Sequence, residues 1–436
     1  MNKSQWSDET KLPSFSSLNK DIKTDVLIIG GGICGLLCAL ALKSAGTDCV
    51  ICEASTLFSG TTKNSTAKIT SQHGLIYNKL IKNFGKDSAK LYLEANENAI
   101  MAYETLCKDI DCDFEKKDSY VYSLASSSKI KNEVKALNFI GYGAKFVRKT
   151  ELPFKVKGAV KFTDQAQFNP MKFALHYCPK LEIYENTPVL KISDGYAVTK
   201  GGTVKAKKII VATHFPFLNT KGGYFLKMYQ HRSYVSAFEK ADILEGMYID
   251  EAKGGLSLKS YNGLTFLGGG GARTGKKCKT WDMLHQKAKE FYPNSKLKYD
   301  WAAQDCISLD GIAYIGKYSK NTPNLFVATG FNKWGFTSSM VAAEILRDMC
   351  LEKENKYSSL FSPQRKMYMP QLLTNGLESA KNLLIPSVRR CPHMGCALKW
   401  NKQEQSWDCP CHGSRFKKDG SLIDNPATDD FNAERS

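Results

Sequence analysis

The 436-residue chain has no run of about twenty apolar residues, the length that an α-helix needs to cross a bilayer. Its first residues, MNKSQWSDETKLPSF, lack the apolar stretch of a secretory signal peptide. We therefore expect a cytoplasmic protein without membrane association. The cysteines fit that compartment, because Cys34, Cys38, Cys49 and Cys52 fall in apolar segments and are expected to be buried thiols.

Motifs for nucleic-acid recognition are also missing, although the net charge is +18. Lys and Arg are spread along the chain and do not cluster with stacking aromatic side chains. We therefore expect no nucleic-acid partner. The basic residues either form an ordinary solvated surface or attract an acidic redox protein or anionic substrate. The length predicts two or three folded units that can bury a large cofactor.

Residues 24–53 have the pattern of a dinucleotide-binding unit: a strand, a glycine turn, a helix and a second strand. Gly30 permits the tight turn, Gly32 allows a pyrophosphate to approach the backbone, and Gly35 allows close helix packing. The carboxylate of Glu53, at the end of the second strand, can bind both ribose hydroxyls and would repel a 2′-phosphate. This unit predicts an ADP-containing cofactor and leaves FAD and NAD both open.

Three later segments have patterns that are expected for further parts of the same dinucleotide-binding site. Gly60, Thr61 and Thr62 form a small polar loop that can donate hydrogen bonds beside the pyrophosphate. Residues 204–214, VKAKKIIVATH, predict a buried strand, and residues 310–349 predict another strand, a glycine loop and a helix.

Together these blocks resemble the superfamily of D-amino-acid oxidase, glycine oxidase and sarcosine oxidase. The resemblance implies an α/β and α+β fold and FAD as the cofactor. An N-terminal segment (1–22) would precede an oxidoreductase domain (23–360), whose Rossmann-like, glutathione-reductase-type FAD part spans about 23–85, 150–214 and 300–350. An antiparallel-sheet substrate part would span about 86–149 and 215–299. The further residues expected near FAD are Ile33, Ala54, Val189, Ala212, Thr213, Asp310, Gly330, Trp334, Gly335, Phe336 and Thr337.

Residues for the chemistry are harder to assign. Family members often attach flavin covalently, but Asn64 stands near one attachment position and Cys306 is displaced from the other, so we expect noncovalent FAD. An amino-acid carboxylate needs a cation, and a base would be a histidine. The candidates are therefore Lys259, Arg273, Lys333 and His73, each of which could equally be structural or solvated. We assign no catalytic residue.

The tail contains a C-x-H motif at Cys391 and His393 and a C-x-x-H motif at Cys409 and His412. Two thiolates and two imidazoles can hold a [2Fe–2S] cluster with mixed ligation or a tetrahedral zinc ion. Two further cysteines, one in each segment, argue against zinc. The segments CPHMGC and CPCHGS resemble the Rieske proteins of respiratory and photosynthetic complexes. That resemblance implies a disulfide between Cys396 and Cys411 and a hydroxyl from Ser414 to a bridging sulfide.

The tail is short for a complete Rieske domain, so we expect a reduced all-β module at 387–436 after a linker at 361–386. The linker has an apolar stripe, expected to pack on the flavin part, formed by Leu372, Leu373, Leu377, Ala380 and Leu384.

The favoured function is oxidation of an amine or amino acid by FAD, with single electrons passing to the cluster and then to an acceptor such as a ferredoxin or quinone. A redox sensor or carrier without substrate turnover is an alternative, as is an O₂-using oxidase with a structural tail. A Rieske oxygenase is disfavoured because the remaining histidines do not form an evident second iron site.

Overall fold

The computed structural model describes residues 3–218, 221–366, 376, 381–387 and 389–432. Its strands are β1 (Ile22–Ile29), β2 (Cys49–Cys52), β3 (Lys68–Ile69), β4 (Glu115–Ser123), β5 (Lys145–Val147), β6 (Gly158–Gln167), β7 (Glu182–Tyr184), β8 (Val189–Ser193), β9 (Tyr196–Thr199), β10 (Thr203–Val211), β11 (Met228–Glu239), β12 (Met247–Asp250), β13 (Ser257–Tyr261), β14 (Leu264–Arg273), β15 (Lys296–Ser308), β16 (Tyr314–Lys317), β17 (Leu325–Thr329), β18 (Lys399–Asn401), β19 (Ser406–Asp408), β20 (Arg415–Phe416) and β21 (Leu422–Asp424). Its α-helices are α1 (Gln5–Glu9), α2 (Ile33–Ser44), α3 (Tyr77–Cys107), α4 (Ser128–Phe139), α5 (Pro170–Tyr177), α6 (Tyr224–Lys227), α7 (Trp281–Phe291), α8 (Gly335–Cys350) and α9 (Ser358–Phe361).

The first sheet has the order β16-β17-β10-β1-β2-β7, with β8 and β9 attached beside β10. Its central strands are parallel, and the second halves of β1 and β10 are apolar runs, as expected for strand segments buried on both faces. Alternate residues of β1 belong to different hydrophobic cores. Val26 and Ile28 pack in the core that contains α2 and α8, whereas Leu27 and Ile29 pack in the core on the opposite face of the sheet. The carboxyl ends of β1, β2 and β10 therefore meet at one edge, where the glycine turn lies.

The second sheet has the order β15-β11-β14-β13-β12-β4-β6-β3, with β5 paired to β6. It is antiparallel except where β12 runs parallel to β4. Strands β6 and β15 both lie in this sheet. The predicted boundaries instead assign all of β6 and most of β15 to the FAD part. The long strands β11 and β15 pair along their whole length, so they form a continuous wall facing the first sheet's cofactor edge.

The C-terminal module is a small antiparallel sheet of β18 to β21 with its own apolar core, which includes Phe416, Ala427 and Phe431. Four residues of the predicted linker stripe, Leu372, Leu373, Leu377 and Ala380, lie outside the described residues. Leu384 is described and is 82% exposed, so it does not join a packed face as expected. Among the described residues, no helix combines the length and apolar content that crossing a membrane requires.

Candidate flavin and cluster site

Two glycines of the first motif, Gly30 and Gly35, lie where the backbone approaches itself closely. Gly30 has a φ of +112°, and a Cβ there would lie 2.6 Å from the carbonyl oxygen of Ala212. A Cβ on Gly35 would lie 2.0 Å from the carbonyl oxygen of Gly30, so only glycine lets α2 pack on the turn. The turn thus brings the N-terminus of α2 to the sheet edge, where it can bind a pyrophosphate.

Polar groups surround this turn. The Glu53 carboxylate accepts hydrogen bonds from the backbone N–H groups of Gly31 (2.6 Å) and Ser55 (2.8 Å), and burial raises its pKa. The Thr62 hydroxyl accepts from the N–H of Ile33 at 3.1 Å, and the Thr61 hydroxyl donates to the carbonyl of Gln304 at 3.0 Å. The predicted polar loop therefore connects the turn to strand β15.

The turn opens into a cavity of about 1950 Å³ between the two sheets. This volume exceeds the roughly 300–1,000 Å³ typical of small-molecule pockets, so it can hold FAD together with a substrate. Most of the predicted cofactor residues line it: Gly30, Gly32, Ile33, Glu53, Ala54, Gly60, Thr61, Thr62, Val189, Ala212, Thr213, Trp334, Gly335 and Phe336.

Four predicted cofactor residues do not line this cavity, namely Gly35, Asp310, Gly330 and Thr337. Asp310 instead forms a buried ion pair with Arg365, whose Nε and Nη2 donate to the two carboxylate oxygens at 2.7 and 2.8 Å. The guanidinium also donates to backbone carbonyls on both sides of it, so this pair fixes the chain after α9 to the loop before β16. The side chain of Asp310 is therefore structural.

His73 lies behind the loop that begins α8. One ring nitrogen lies 2.6 Å from the Tyr92 hydroxyl, and the other lies 2.7 Å from the Thr70 carbonyl and 3.1 Å from the Thr337 hydroxyl. The ring also stacks on Trp334, with centroids 4.9 Å apart. Burial lowers the pKa of His73 to about 3, so the ring is neutral, and both nitrogens are engaged. His73 therefore supports the cavity wall rather than acting as a free base.

The three predicted cations have different surroundings. Lys259 is buried against aromatic rings and donates to the Thr66 carbonyl at 2.7 Å, away from the cavity. Arg273 donates to the carbonyls of Pro410 and Cys411 at 3.0 and 2.6 Å, so it holds the C-terminal module. Lys333 alone of the three lies on the wall of the large cavity.

Three further polar residues of the cavity wall were not predicted. Lys68 donates to the Ser257 hydroxyl at 2.5 Å, and burial lowers its pKa to about 7. Burial, together with Lys333, lowers the pKa of His231 to about 3, whereas burial raises the pKa of Asp305 against the pull of Lys333. The sequence predicts an antiparallel sheet over about 215–299, which includes β11, but β15 was not predicted as a strand. Which residues of either strand face the cavity could not be predicted, because this depends on pairing between distant segments.

The two cluster loops repeat one turn. In the first, the N–H of Gly395 donates to the Cys391 carbonyl at 2.8 Å, and in the second, the N–H of Gly413 donates to the Cys409 carbonyl at 2.9 Å. Both glycines have positive φ, +75° and +89°, which other residues adopt with strain. The turns bring together the predicted ligands, and the rings of His393 and His412 lie 5.0 Å apart.

The chemistry of this donor set fits a [2Fe–2S] cluster. The Cys391 and Cys409 thiols are buried and within hydrogen-bonding distance of each other, which lowers the pKa of Cys391 to about 7. The hydrogen bond with Cys391 and burial raise the pKa of Cys409, the other member of this pair, whereas the backbone N–H groups of His412 and Cys411 act in the opposite direction. Neither ring nitrogen of the buried His412 has a hydrogen-bond partner among the described residues, so both remain available to a metal.

The remaining predicted residues support the loops. Cys396 and Cys411 are joined in a disulfide that links the two turns. Their sulfurs lie within 4.8 Å of the Cys409 sulfur, but bonded sulfurs cannot be thiolate ligands. The Ser414 hydroxyl accepts from the N–H of Ala427 at 3.0 Å, and its hydrogen bond to Cys391 helps to lower the pKa of that thiol.

The C-terminal module contacts the oxidoreductase domain (residues 23–360), here called the flavin part, mainly through β11 and β15. Glu404 accepts hydrogen bonds from Arg232, from the Tyr234 hydroxyl at 3.0 Å and from Arg415 at 2.9 Å. Burial would raise the pKa of Glu404, but the two arginines outweigh it and lower the pKa to about 2. Asn425 adds a second contact, donating to the carbonyls of Thr213 and Phe215 at 2.6 and 2.9 Å.

Comparison with known proteins agrees with both sites. The family model described as "FAD dependent oxidoreductase" matches residues 25–349, and that described as "Rieske [2Fe-2S] domain" matches residues 380–433. The chain is 35% identical to YhfW of Bacillus subtilis (strain 168), whose name describes a Rieske 2Fe-2S iron-sulfur protein, over 97% of this chain and 95% of that one.

Two similar proteins have names that refer to amines or amino acids. The chain is 26% identical to gamma-glutamylputrescine oxidoreductase of Escherichia coli (strain K12), over 46% of this chain and 51% of that protein. The crystal structure of glycine oxidase from Geobacillus kaustophilus has the same fold, with a TM-score of 0.68 at 19% identity, covering 79% of this chain and all of that one. This chain therefore belongs to the FAD-dependent oxidoreductases of the D-amino-acid oxidase type, and it carries a C-terminal Rieske domain for a [2Fe–2S] cluster.

Proposed function

We propose that this protein is a dehydrogenase that oxidises an amine or amino acid at the flavin and releases the electrons one at a time through the Rieske cluster to an external acceptor, such as a ferredoxin or quinone. We further propose that it works in the cytoplasm, since the cysteines of the flavin part that the structure describes are free thiols, most of them buried.

The observation that carries this proposal is that the dinucleotide turn and the Rieske module share one cavity. Gly30, Gly32 and Glu53 line one side, and Asn425 and Ala427 of the module line another. Ala427 also hydrogen-bonds to Ser414, which lies directly beside the cluster loop. Electron transfer between two groups requires that they lie close together, and the shared wall supports such an arrangement of flavin and cluster.

Lys333 is the proposed partner for a substrate carboxylate. It donates to the Ser233 hydroxyl at 3.0 Å, and it follows Asn332 in a turn where both residues have positive φ, +53° and +74°. Such conformations are strained for residues other than glycine and are concentrated at functional sites. Asn332 holds the turn in place, because its side-chain oxygen accepts from the N–H of Ser308 at 2.9 Å.

Bound FAD accepts a hydride from the α-carbon of a neutral amine, and a Rieske cluster accepts a single electron. The residues of this chain then have to bind, orient and desolvate the substrate. The low pKa of His231 keeps its ring neutral. The ring therefore places no positive charge beside the neutral amine, where a charge would repel a cation and attract water. Trp334 lines the cavity at the start of α8, and the ring of His73 stacks on it.

The proposal is tested by anaerobic titration with amines and amino acids, with flavin bleaching as the readout, in the wild type, in Cys409→Ser and in Cys350→Ser. Cys350 is a matched control, because it is a free cysteine at the end of α8, far along the chain from the cluster loops. We expect a substrate to bleach the flavin in all three proteins. Cys409→Ser alone should fail to reduce a one-electron acceptor.

Two results would overturn the proposal. If Cys409→Ser turned over with dioxygen as fast as the wild type, and neither protein reduced a one-electron acceptor, the enzyme would be an oxidase with a structural tail. If no amine, amino acid or hydroxy acid bleached the flavin, but reduced nicotinamide or ferredoxin did, the protein would be a redox carrier or sensor.

A further inference from the structure

We propose that Gln304 is a positioning residue that couples the flavin cavity to the cluster, so that electrons reach the cluster on the side of His412 and leave it on the side of His393. This inference rests on the proposed electron flow from flavin to cluster. It assigns to the two histidine ligands different tasks that the sequence pattern does not distinguish.

Gln304 connects the cavity wall directly to the second cluster loop. It lies on the wall, and its side-chain N–H donates at 2.9 Å to the carbonyl of Gly413, the residue after His412. Its side-chain oxygen accepts from the Thr274 hydroxyl at 2.9 Å, which fixes the orientation of the amide. Its backbone carbonyl accepts from Thr61, in the polar loop of the dinucleotide site. One residue therefore contacts both cofactor loops.

The second loop is held against the flavin part along its whole length. A Cβ on Gly413 would lie 2.5 Å from the Cβ of Gln230, and a Cβ on Gly275 would lie 2.9 Å from the Cα of Pro410. These two glycines therefore permit a backbone approach that any side chain would prevent. Arg273 adds two hydrogen bonds to the carbonyls of Pro410 and Cys411.

The two histidines consequently have different surroundings. His412 is 1% exposed, and its ring lies 5.9 Å from Phe225 and 6.5 Å from Phe215, both of the flavin part. Phe215 follows Thr213 and His214, which line the cavity. His393 is partly exposed and stands between the exposed residues Pro392 and Met394. The cluster would thus have one ligand facing the flavin and the other facing solvent.

This arrangement fits the electron balance of the proposed reaction. Each amine oxidised supplies one hydride, which is two electrons and a proton. The two electrons pass singly through the cluster to two molecules of a one-electron acceptor, and the proton is released to water. Gln304 and the clamped loop keep the first transfer short within the protein, while the open side at His393 permits the second transfer to a separate molecule.

The test compares Gln304→Glu and Gln304→Leu with Gln403→Leu in the protein loaded with FAD and cluster. Gln403 is a matched control: its side-chain amide also crosses from the module to the flavin part, donating to Asp282 at 3.1 Å, but away from the cluster loops. The flavin is reduced by a light flash with EDTA as donor, without any amine. The readouts are the rate of cluster reduction and the EPR spectrum and midpoint potential of the cluster.

We expect both Gln304 variants to slow cluster reduction roughly tenfold, which corresponds to about 1.4 kcal/mol, because the docked loop loses a buried hydrogen bond. The EPR spectrum should stay as in the wild type in both variants, since no ligand is changed. The midpoint potential should stay unchanged in Gln304→Leu, whereas the added carboxylate of Gln304→Glu should lower it. Gln403→Leu should match the wild type. Unchanged rates in the Gln304 variants, or a changed EPR spectrum that explains a slower rate, would overturn the inference. If even the wild type showed no transfer to the cluster, the proposed function itself would fail.

The proposed exit of electrons on the side of His393 is tested with Met394→Glu and Met394→Lys, using ferricyanide as the acceptor. The glutamate should slow ferricyanide reduction several-fold at low salt, and the lysine should not, because the anion approaches His393 past residue 394. Cluster reduction by the flavin should be the same in both variants. If both charges gave the same ferricyanide rate, electrons would leave by another side, and the assigned direction would be wrong.

Discussion

Docking of the Rieske module is expected to depend on Glu404, which Glu404→Gln tests with little change of shape. The wild-type carboxylate lies between Arg232 of the flavin part and Arg415 of the module, and it also accepts from Tyr234. Its side chain is 8% exposed, and those of the two arginines are 12% and 5% exposed. A neutral amide would leave Arg232 with only Asp424, 4.0 Å away, as a counter-charge, whereas Arg415 would keep its ion pairs with Asp408 and Asp424.

The magnitude follows from the pKa of Glu404, which is lowered from its ordinary value of 4.5 to about 2. A difference of this size corresponds to about 3 kcal/mol of stability at neutral pH. Removing one partner of a buried ion pair costs about 3–5 kcal/mol in other proteins, which agrees. We therefore expect Glu404→Gln to lower the free energy of opening of the module by about 3 kcal/mol.

The assay is native-state hydrogen exchange, followed by mass spectrometry on peptides that cover β18 to β21. It reports local opening without unfolding the flavin part. The control is Glu290→Gln, which removes an exposed ion pair with Lys287. Surface pairs of this kind contribute about 0–1 kcal/mol, so the control should exchange almost as the wild type does.

The pH dependence gives the same prediction a second test. Because the folded-state pKa is lowered, the contribution is complete above about pH 4.5 and is lost as the pH falls toward 2. The difference between wild type and Glu404→Gln should therefore be constant between about pH 6 and 8. A difference below about 1 kcal/mol, or one that changes across this range, would refute the reasoning.

Three further predictions concern the flavin part. Gly35→Ala should lose FAD and about 1–3 kcal/mol of stability, because the new Cβ collides with the Gly30 carbonyl. FAD absorbance and urea unfolding measure the two effects. The control is Gly143→Ala, because a Cβ at Gly143 would have open space around it. Lys333→Met should raise KM for an amino acid roughly tenfold without raising it for the matching amine that lacks the carboxylate, and equal effects on both would contradict its role. The pKa of His73, lowered from 6.5 to about 3, makes its contribution to stability complete only above pH 6.5. His73 should therefore account for about 2 kcal/mol of the stability lost between pH 8 and pH 5. Other buried histidines such as His231 add losses of their own, so in urea titrations His73→Gln should lose about 2 kcal/mol less than the wild type over this range.

Much of this architecture could be predicted from local patterns. The strand, turn and helix around Gly30 and the buried strand before Thr213 were expected, because continuous apolar runs and obligatory glycines are local signals. The membership of β6 and β15 in the second sheet differs from the predicted boundaries. Strand partners depend on contacts between distant segments, which periodicity alone does not define.

The site illustrates the same limit. The proposed donors Cys391, His393, Cys409 and His412 lie in two short motifs whose chemistry is specific, so they could be proposed from the sequence, and the structure brings the two motifs together. The hydrogen-bond partner of Arg273 could not be predicted, because a single arginine does not form a sequence motif. In the structure, Arg273 donates to the cluster loop instead of facing a substrate.

The central claim, that flavin and cluster form one electron pathway within a single chain, is tested most directly by rapid-freeze EPR after anaerobic flash reduction of the flavin. We predict that the signal of the reduced Rieske cluster appears with a first-order rate that is independent of protein concentration. A signal that never appears, or a rate that rises in proportion to protein concentration, would contradict an internal pathway.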